Sequence, residues 1–244
     1  MLTAIQDEKV VIARDTEKRG IFTCPECGRT VTLKKGKIVI HHFAHKPPVT
    51  CQYGKGESKQ HHQIKMELFD SLVNHDQALD VALEKSFGAV RPDVSARIDG
   101  KLVAFEIQRT SINFDDLHRR TSAYCQLGLS VIWILLPRED LSSNKISPRK
   151  WEIWTHAAQL GEAYYWIGKG YVQPVKFDKY MIEVPLTDFG GGYERTSKRF
   201  RTPIKQRKAH LVEDFTHGGI IKAWSGGVYD IPARRIWMRM DKYI

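Results

Sequence analysis

Arg91-Pro92-Asp93-Val94-Ser95-Ala96-Arg97-Ile98 and Lys101-Leu102-Val103-Ala104-Phe105-Glu106-Ile107-Gln108 flank the dipeptide Asp99-Gly100. Asp-Gly between two alternating runs signals a two-residue hairpin turn, since both turn positions take a positive φ that aspartate and glycine tolerate. With Asp99 and Gly100 as the loop, Ile98 faces Lys101, and stepping outward brings Asp93 opposite Glu106. Facing residues on one side of a sheet have Cβ atoms about 5 Å apart. Gln108, two residues on, shares that side. The other side carries Val94, Ala96 and Ile98 against Val103, Phe105 and Ile107, a core face. Two carboxylates held together on a rigid hairpin repel unless a cation lies between them, and a hard divalent cation with oxygen ligands and waters suits the pair. The local geometry suggests a Mg²⁺ or Mn²⁺ site at Asp93 and Glu106. A β-bulge would break this register, and an ordinary hairpin with two solvated acids is the competing reading.

Pro92-Asp93 and Glu106-Ile107-Gln108 resemble the PD-(D/E)xK nuclease signature. The resemblance implies that an Asp on one strand and a Glu on the next bind the metal that activates water. Gln108 stands where that signature usually has lysine. Glutamine is a substitute within the superfamily, but it is not a cation, which leaves the source of positive charge open.

The segment before the hairpin, Glu57-Ser58-Lys59-Gln60-His61-His62-Gln63-Ile64-Lys65, leads into Ile64, Leu68, Phe69, Leu72 and Val73 at helical spacing. Glu57, His61 and Lys65 recur every four residues and so line one polar face. That stripe is either a solvated face or a third metal ligand with phosphate contacts; in many nucleases of the superfamily a Glu on this helix completes the site. Beyond the hairpin, from Ser111 to Pro137, Asn113 and Asp116 resemble a capping box with Asp in place of Glu. A helix to about Leu127, closed by Gly128, is expected. Val131 to Leu136 then reads as a buried strand in the continuous apolar style of parallel sheets, which makes strand, helix and strand a right-handed βαβ unit. Arg120 and Tyr124 share one helical face, where they contact phosphate or a base, or cover the sheet edge. Arg91 and Arg109 flank the site.

Cys24-Pro25-Glu26-Cys27-Gly28 has the form of a zinc-knuckle turn, with His41, His42, His45 and Cys51 downstream. Two thiolates on a tight turn and a later His/Cys pair supply four ligands for tetrahedral Zn²⁺. The favoured set is Cys24, Cys27, His45 and Cys51, with His42 as the substitute; Phe43 packs. A redox pair or free thiols is the competing reading. Alternation over Thr3–Ala13 and Phe22-Thr23, and a hairpin over Val31–Ile40 turning at Lys35-Gly36-Lys37, give a small β-rich module joined to the rest by Gly54-Lys55-Gly56.

Taken in order, Cys24-Pro25-Glu26-Cys27-Gly28, His42-Phe43-Ala44-His45, Glu57-Ser58 with His61 and Lys65, Arg91-Pro92-Asp93-Val94, Glu106-Ile107-Gln108, Arg120 with Tyr124, and Trp133-Ile134-Leu135 resemble the competence protein CoiA-like family. The resemblance covers about residues 1 to 137. It implies a bacterial protein with an N-terminal zinc-binding element and a PD-(D/E)xK nuclease-like domain, associated with recombination of incoming DNA during competence.

Among the 244 residues, lysine and arginine total 38 against 28 acids, a net charge of +10. Such an excess favours a polyanion partner. No run of eighteen apolar residues exists, so no membrane span is expected. Met1–Asp7 lacks a signal-peptide layout. Four cysteines, three of them near histidines, suit a reducing cytoplasm and metal better than disulfides; Cys125 reads as a core thiol. Ala163–Ile167 and Tyr171–Val175 around Gly168-Lys169-Gly170 read as another hairpin, whose aromatics stack on bases or fill a core. After a break at Gly190-Gly191-Gly192 comes a basic stretch with Arg195, Lys198, Arg199, Arg201, Lys205, Arg207 and Lys208. It either grips a phosphate backbone, with salt-sensitive binding, or is a solvated linker.

The expected fold is α/β: a restriction-endonuclease-like core of order α-β-β-α-β over residues 55–140, a β-rich zinc module over 1–54, and a mixed C-terminal extension over 141–244. The expected activity is metal-dependent hydrolysis of DNA, with RNA a weaker candidate. Asp93, Glu106 and Glu57 would bind Mg²⁺ or Mn²⁺, Gln108 would orient water, and Lys65 and His61 would assist at the phosphate. A non-cleaving nucleic-acid adaptor that keeps the fold is the alternative. Recombination or DNA-uptake proteins are partners only by the family resemblance.

Overall fold

The structure, a computed structural model, describes residues 1–51, 53, 57–108, 112–226 and 229–242. The joint expected at Gly54-Lys55-Gly56, Arg109 beside the hairpin and Ser111 at the head of the following segment lie outside the described residues.

Short alternating runs at the start of the chain become β1 (Thr3–Gln6), β2 (Lys9–Ile12), β3 (Phe22–Thr23), β4 (Thr30–Lys34) and β5 (His42–His45), one sheet in the order β2-β1-β3-β4-β5. Met1, Ala4, Phe22, Val31, Leu33 and Phe43 pack together on it with Cys24 and Cys51. The hairpin expected over Val31–Ile40 returns later than its sequence suggests: Lys34 pairs with His42 and Val31 with His45. Phe43 is buried and Ile38 is exposed, so the aromatic ring sets where the return strand begins.

The central segment runs α1 (Lys59–Val73), β6 (Ala78–Leu83), β7 (Val94–Ile98), β8 (Lys101–Gln108), α2 (Phe114–Gln126) and β9 (Ser130–Leu135). The β7–β8 hairpin has the expected register, from Ile98 opposite Lys101 to Val94 opposite Phe105, without a bulge. Helix α2 starts where Asn113 Oδ1 accepts a hydrogen bond from the Asp116 N–H at 2.7 Å, and Gly128 follows it at φ 76°. Strand β9 lies parallel to β8, Val103 beside Ser130 and Gln108 beside Leu135. The expected order needs one correction: β6 stands between α1 and the hairpin and pairs antiparallel with β7, giving α-β-β-β-α-β. Its register shifts between Leu79 and Ala82, and Asp80 sits at φ 51°. The bulge breaks the period-two pattern that marks a strand in sequence.

The rest of the chain supplies α3 (Lys150–Ala158), β10 (Ala163–Gly168), β11 (Tyr171–Val184), β12 (Tyr193–Lys205), β13 (Ala209–His210), β14 (Phe215–Ile221), β15 (Trp224–Gly226), β16 (Tyr229–Ile231) and β17 (Arg234–Arg239). Ala163 pairs with Val175 and Trp166 with Val172, the hairpin expected there. Because β10 also lies parallel to β9, the main sheet runs β12-β11-β10-β9-β8-β7-β6, and residues beyond 141 widen the sheet of the core. One face packs Val94, Ala96, Ile98, Val103, Phe105 and Ile107 under Ile64, Leu68 and Leu72 of α1. The other packs Ala104, Val131, Trp133 and Leu135 under Leu117 and Tyr124 of α2 and Trp151 and Trp154 of α3. Cover on both faces accounts for the unbroken apolar run of β9. The β11–β12 ribbon ends in Gly190-Gly191-Gly192, where a Cβ on Gly191 would stand 1.9 Å from the Pro185 carbonyl oxygen; this turn requires glycine. No helix among the described residues is long and apolar enough to cross a membrane.

Candidate active site and metal centres

The polar stripe of α1 faces inward. Ser58 caps the helix by accepting a hydrogen bond from the His61 N–H at 3.1 Å, which sets His61 and Lys65 one turn apart, over the end of the hairpin. Asp93 is the last residue before β7, and its Oδ2 accepts the Ile107 N–H at 2.9 Å. Lys65 is 1% exposed. Its ammonium donates to Glu57, to Glu84 Oε1 at 2.8 Å and pairs with Asp93 Oδ1 at 2.9 Å. A buried ammonium persists only when paired, and here three carboxylates surround it. Burial works against the charges of Lys65 and Asp93, but their mutual attraction wins: Lys65 is raised well above its ordinary value and Asp93 is held far below the usual carboxylate range. His61 lies 3.2 Å from Asp93 Oδ2 and 3.4 Å from Glu57 Oε1. Burial lowers its pKa, and the two carboxylates more than reverse this, raising it to about 9.

Glu106, also 1% exposed, has different partners. The Arg120 guanidinium and the Tyr124 hydroxyl both donate to its Oε1, and Arg120 lies 5.5 Å from the Trp133 ring centre. Arg120 and Tyr124 do share one face of α2, and that face is turned toward Glu106. Burial, with Asp93 adding repulsion, pushes Glu106 up to about 7 against the pull of Arg120 and Tyr124. Gln108 ends β8 half-buried, and its carbonyl accepts the Leu136 N–H at 3.4 Å.

Glu57, His61 and Asp93 each offer a ligand atom within 4.8 Å of the others, and their side chains are 12–15% exposed, open enough for an ion to enter. Glu106 is not in that set. Two carboxylates and an imidazole suit Mn²⁺ better than Mg²⁺, which prefers oxygen alone.

The second donor set is Cys24, Cys27, His45 and Cys51, also within 4.8 Å of one another. Cys24 Sγ lies 4.0 Å from Cys51 Sγ, and Cys27 Sγ 3.4 Å from His45 Nε2. A tetrahedral zinc with bonds of about 2.1–2.3 Å has ligand edges of roughly 3.4–3.8 Å, so these two edges fit with little change and the remaining ones, all under 4.8 Å, by closing about 1 Å or less. His42 is outside the set; its Nδ1 lies 3.0 Å from the Ile40 carbonyl oxygen.

Sequence reasoning missed Glu84. It follows the irregular β6 at φ 51°, where no pattern marks it, yet its Oε2 accepts the N–H groups of Leu2 and Thr3 at 2.9 and 3.0 Å and the Thr3 hydroxyl at 2.9 Å. The Tyr53 hydroxyl donates to the same oxygen. Arg91 joins the two parts as well: it pairs with Glu26 of the cysteine turn at 2.7 Å, donates to the Glu84 carbonyl at 3.0 Å and lies 4.5 Å from the Tyr53 ring centre.

A family model described as the competence protein CoiA N-terminal domain matches residues 5–54, and one described as the competence protein CoiA nuclease-like domain matches residues 57–167. The chain belongs to the competence protein CoiA family. Competence protein CoiA of Bacillus subtilis (strain 168) is 32% identical over 159 residues, a stretch that covers 62% of this chain and 40% of that protein. No solved structure matches. The two family models bracket both donor sets: the cysteine cluster lies in the first, and Glu57, His61, Lys65, Glu84, Asp93 and Glu106 lie in the nuclease-like domain.

The basic stretch lies past the residues those CoiA models match; from Arg195 to Lys205 it is strand β12, and Arg207 and Lys208 lie in the short connection to β13. Opposite Tyr180, the register jumps from Lys179–Arg201 to Met181–Thr196, so Ser197, Lys198, Arg199 and Phe200 form a wide bulge. Ser197 Oγ accepts the N–H groups of Arg199 and Phe200 at 3.2 and 2.9 Å. Arg201 fills the bulge from inside, donating to the carbonyls of Ser197 and Phe200 at 3.0 and 2.8 Å. Arg207 is paired with Asp214 at 2.9 Å. Arg195, Lys198, Arg199, Lys205 and Lys208 remain exposed.

Proposed function

We propose that this CoiA-family protein is a divalent-metal-dependent nuclease that hydrolyses phosphodiester bonds in DNA. The observation that carries the reading is the gathering of Glu57, His61 and Asp93 at the end of the β7–β8 hairpin, with their charge balanced from behind by buried Lys65. A divalent cation held there supplies a bound water of lowered pKa and stabilises charge on the scissile phosphate. Lys65 fixes the carboxylates of Glu57 and Asp93, and the Ile107 N–H fixes Asp93 from the other side. Glu106, near 7 and beside Asp93, is tuned to exchange a proton at neutral pH. The Gln108 amide has both donor and acceptor to orient a water. With glutamine in the lysine position, the cations paired directly with Asp93 and Glu106 are Lys65 and Arg120. By family, the substrate would be incoming DNA, handled in the cytoplasm alongside recombination or uptake proteins.

Labelled linear, circular, single-stranded and branched DNAs incubated with Mn²⁺, Mg²⁺ or EDTA test the reading. Cleavage is expected with metal only, faster with Mn²⁺, and lower by at least about 100-fold in Asp93→Asn, the scale of losing one preorganised electrostatic group. Absence of cleavage of every substrate, together with salt-sensitive binding, would favour the adaptor reading. The exposed bulge supports the choice of a polyanion. Lys198→Ala with Arg199→Ala is expected to weaken DNA binding and to flatten the log-affinity against log-salt slope by about 2, roughly one unit for each phosphate no longer neutralised; an unchanged slope would place the DNA elsewhere.

A further inference from the structure

We propose that His75, His210 and Glu213 form a separate metal site that takes a divalent transition ion of the zinc, cobalt or nickel class. His75 follows the C-terminal end of α1, His210 ends β13, and Glu213 lies in the turn before β14. One ring nitrogen of each histidine and one carboxylate oxygen of Glu213 lie within 4.8 Å of one another. The cluster sits past the far end of α1 from Glu57 and His61 and shares no residue with either donor set above.

The two imidazole rings stack, their planes 23° from parallel and their centres 5.1 Å apart, so one ring turns about its Cβ–Cγ bond to bring both lone pairs onto a shared ion. Two imidazoles bound to one metal at bonds of about 2.1 Å, meeting at a tetrahedral angle, place their centres about 5 Å apart. His75 Nε2 is 3.5 Å from Glu213 Oε1, which a shared ion would shorten. His210 is 7% exposed, and its Nδ1 is buried with no hydrogen-bond partner among the described residues. A buried ring nitrogen left unpaired is costly, and an ion bound at it would relieve that cost. Gly170 leaves room for this ring: a Cβ there would stand 2.6 Å from His210 Nε2.

His75 Nδ1 accepts the Gln77 N–H at 3.2 Å, which places the ring proton on Nε2. Entry of a metal at Nε2 moves that proton to Nδ1 and gives up this bond, and water replaces it at Gln77, which is exposed. An open cleft lined by Asn74, His75, Asp76, Gln77 and Glu213 admits the ion. Two imidazoles with one carboxylate match zinc-class ions, not Mg²⁺ or Ca²⁺. Bound there, the ion would clip the end of α1 to the β13–β14 turn.

Cobalt titration of the full chain tests this. The protein first carries zinc in the cysteine set, and the Asp93→Asn background disables the candidate active site. One equivalent of Co²⁺ is expected to bind, with d–d absorption and no thiolate charge-transfer band. His75→Ala and Glu213→Gln should each weaken that binding by about 100-fold or more, beyond the 10–100-fold loss that follows removal of a mere supporting group. Glu213 is exposed, so Glu213→Gln decides the matter should His75→Ala fold poorly. No cobalt bound in the parent, or equal affinity in Glu213→Gln, would overturn the proposal.

Discussion

Lys65→Met is expected to cost about 3–5 kcal/mol of stability at neutral pH, the scale of removing one partner from a buried ion pair. The lysine is fully enclosed, and Glu57, Glu84 and Asp93 would be left facing one another without it. Burial pushes all three carboxylates up, and Lys65 is the largest influence holding them down. Their folded pKa values lie below their unfolded ones, so the stability they contribute is present above about pH 4 and is lost as pH falls through the lower folded values. The deficit of Lys65→Met should therefore be greatest at neutral pH and narrow in acid, where the variant's carboxylates protonate. Urea unfolding at pH 7 and pH 4 measures both. Mn²⁺ should stabilise the variant more than the parent, since an ion can take the place of the lost charge. A variant as stable as the parent at pH 7 would show that the lysine does not hold the site together.

Removal of metal from the cysteine set should unfold the N-terminal module. Structural zinc contributes apparent free energies of about 10–16 kcal/mol in small domains at neutral pH, and the core of Phe22, Val31, Leu33 and Phe43 is small beside that. Burial pushes the Cys24 thiol up to about 11, so metal uptake there displaces a proton and should tighten with pH. Protein never exposed to chelator is expected to hold one zinc in this set. Cys51→Ser or prolonged chelation should abolish strand signals from residues 3–45 in hydrogen exchange while β8 and β9 stay protected. Metal analysis finding none in the untreated protein, with all four ligands intact, would rule the zinc out.

Legibility in the sequence follows from where the physics is local. The hairpin is legible because a two-residue turn and period-two burial together leave one register. The Cys/His quartet is legible from its cysteine turn, and the choice of His45 over His42 lies in β-strand alternation. Phe43 is buried with Cys24 and Cys51, and His45, two residues on, shares its side while His42 does not. Helix α1 shows in its apolar spacing, but its polar stripe gives no sign of being inside, because two of the three carboxylates that make burial of Lys65 tolerable, Glu84 and Asp93, come from outside the helical segment. Glu84 is illegible for the same reason, and β6 because its bulge erases the alternation. The basic stretch reads as either a phosphate grip or a linker, and not as a strand, because β12 has few buried side chains; its order comes from backbone pairing with β11, which leaves no trace in hydrophobic pattern.

Glu84 has one oxygen on Lys65 and the other on the amides of Leu2 and Thr3. The boundary between the cysteine module and the nuclease-like domain is therefore not a place where relatives can be recombined freely. A chimaera cut near residue 55 would inherit an acid shaped for a different opening strand, with one buried carboxylate oxygen left without the amide and hydroxyl donors it is built to accept. The exchangeable part is the pair of segments together, and a graft of the first succeeds only when it brings two N–H groups and a hydroxyl to the same oxygen.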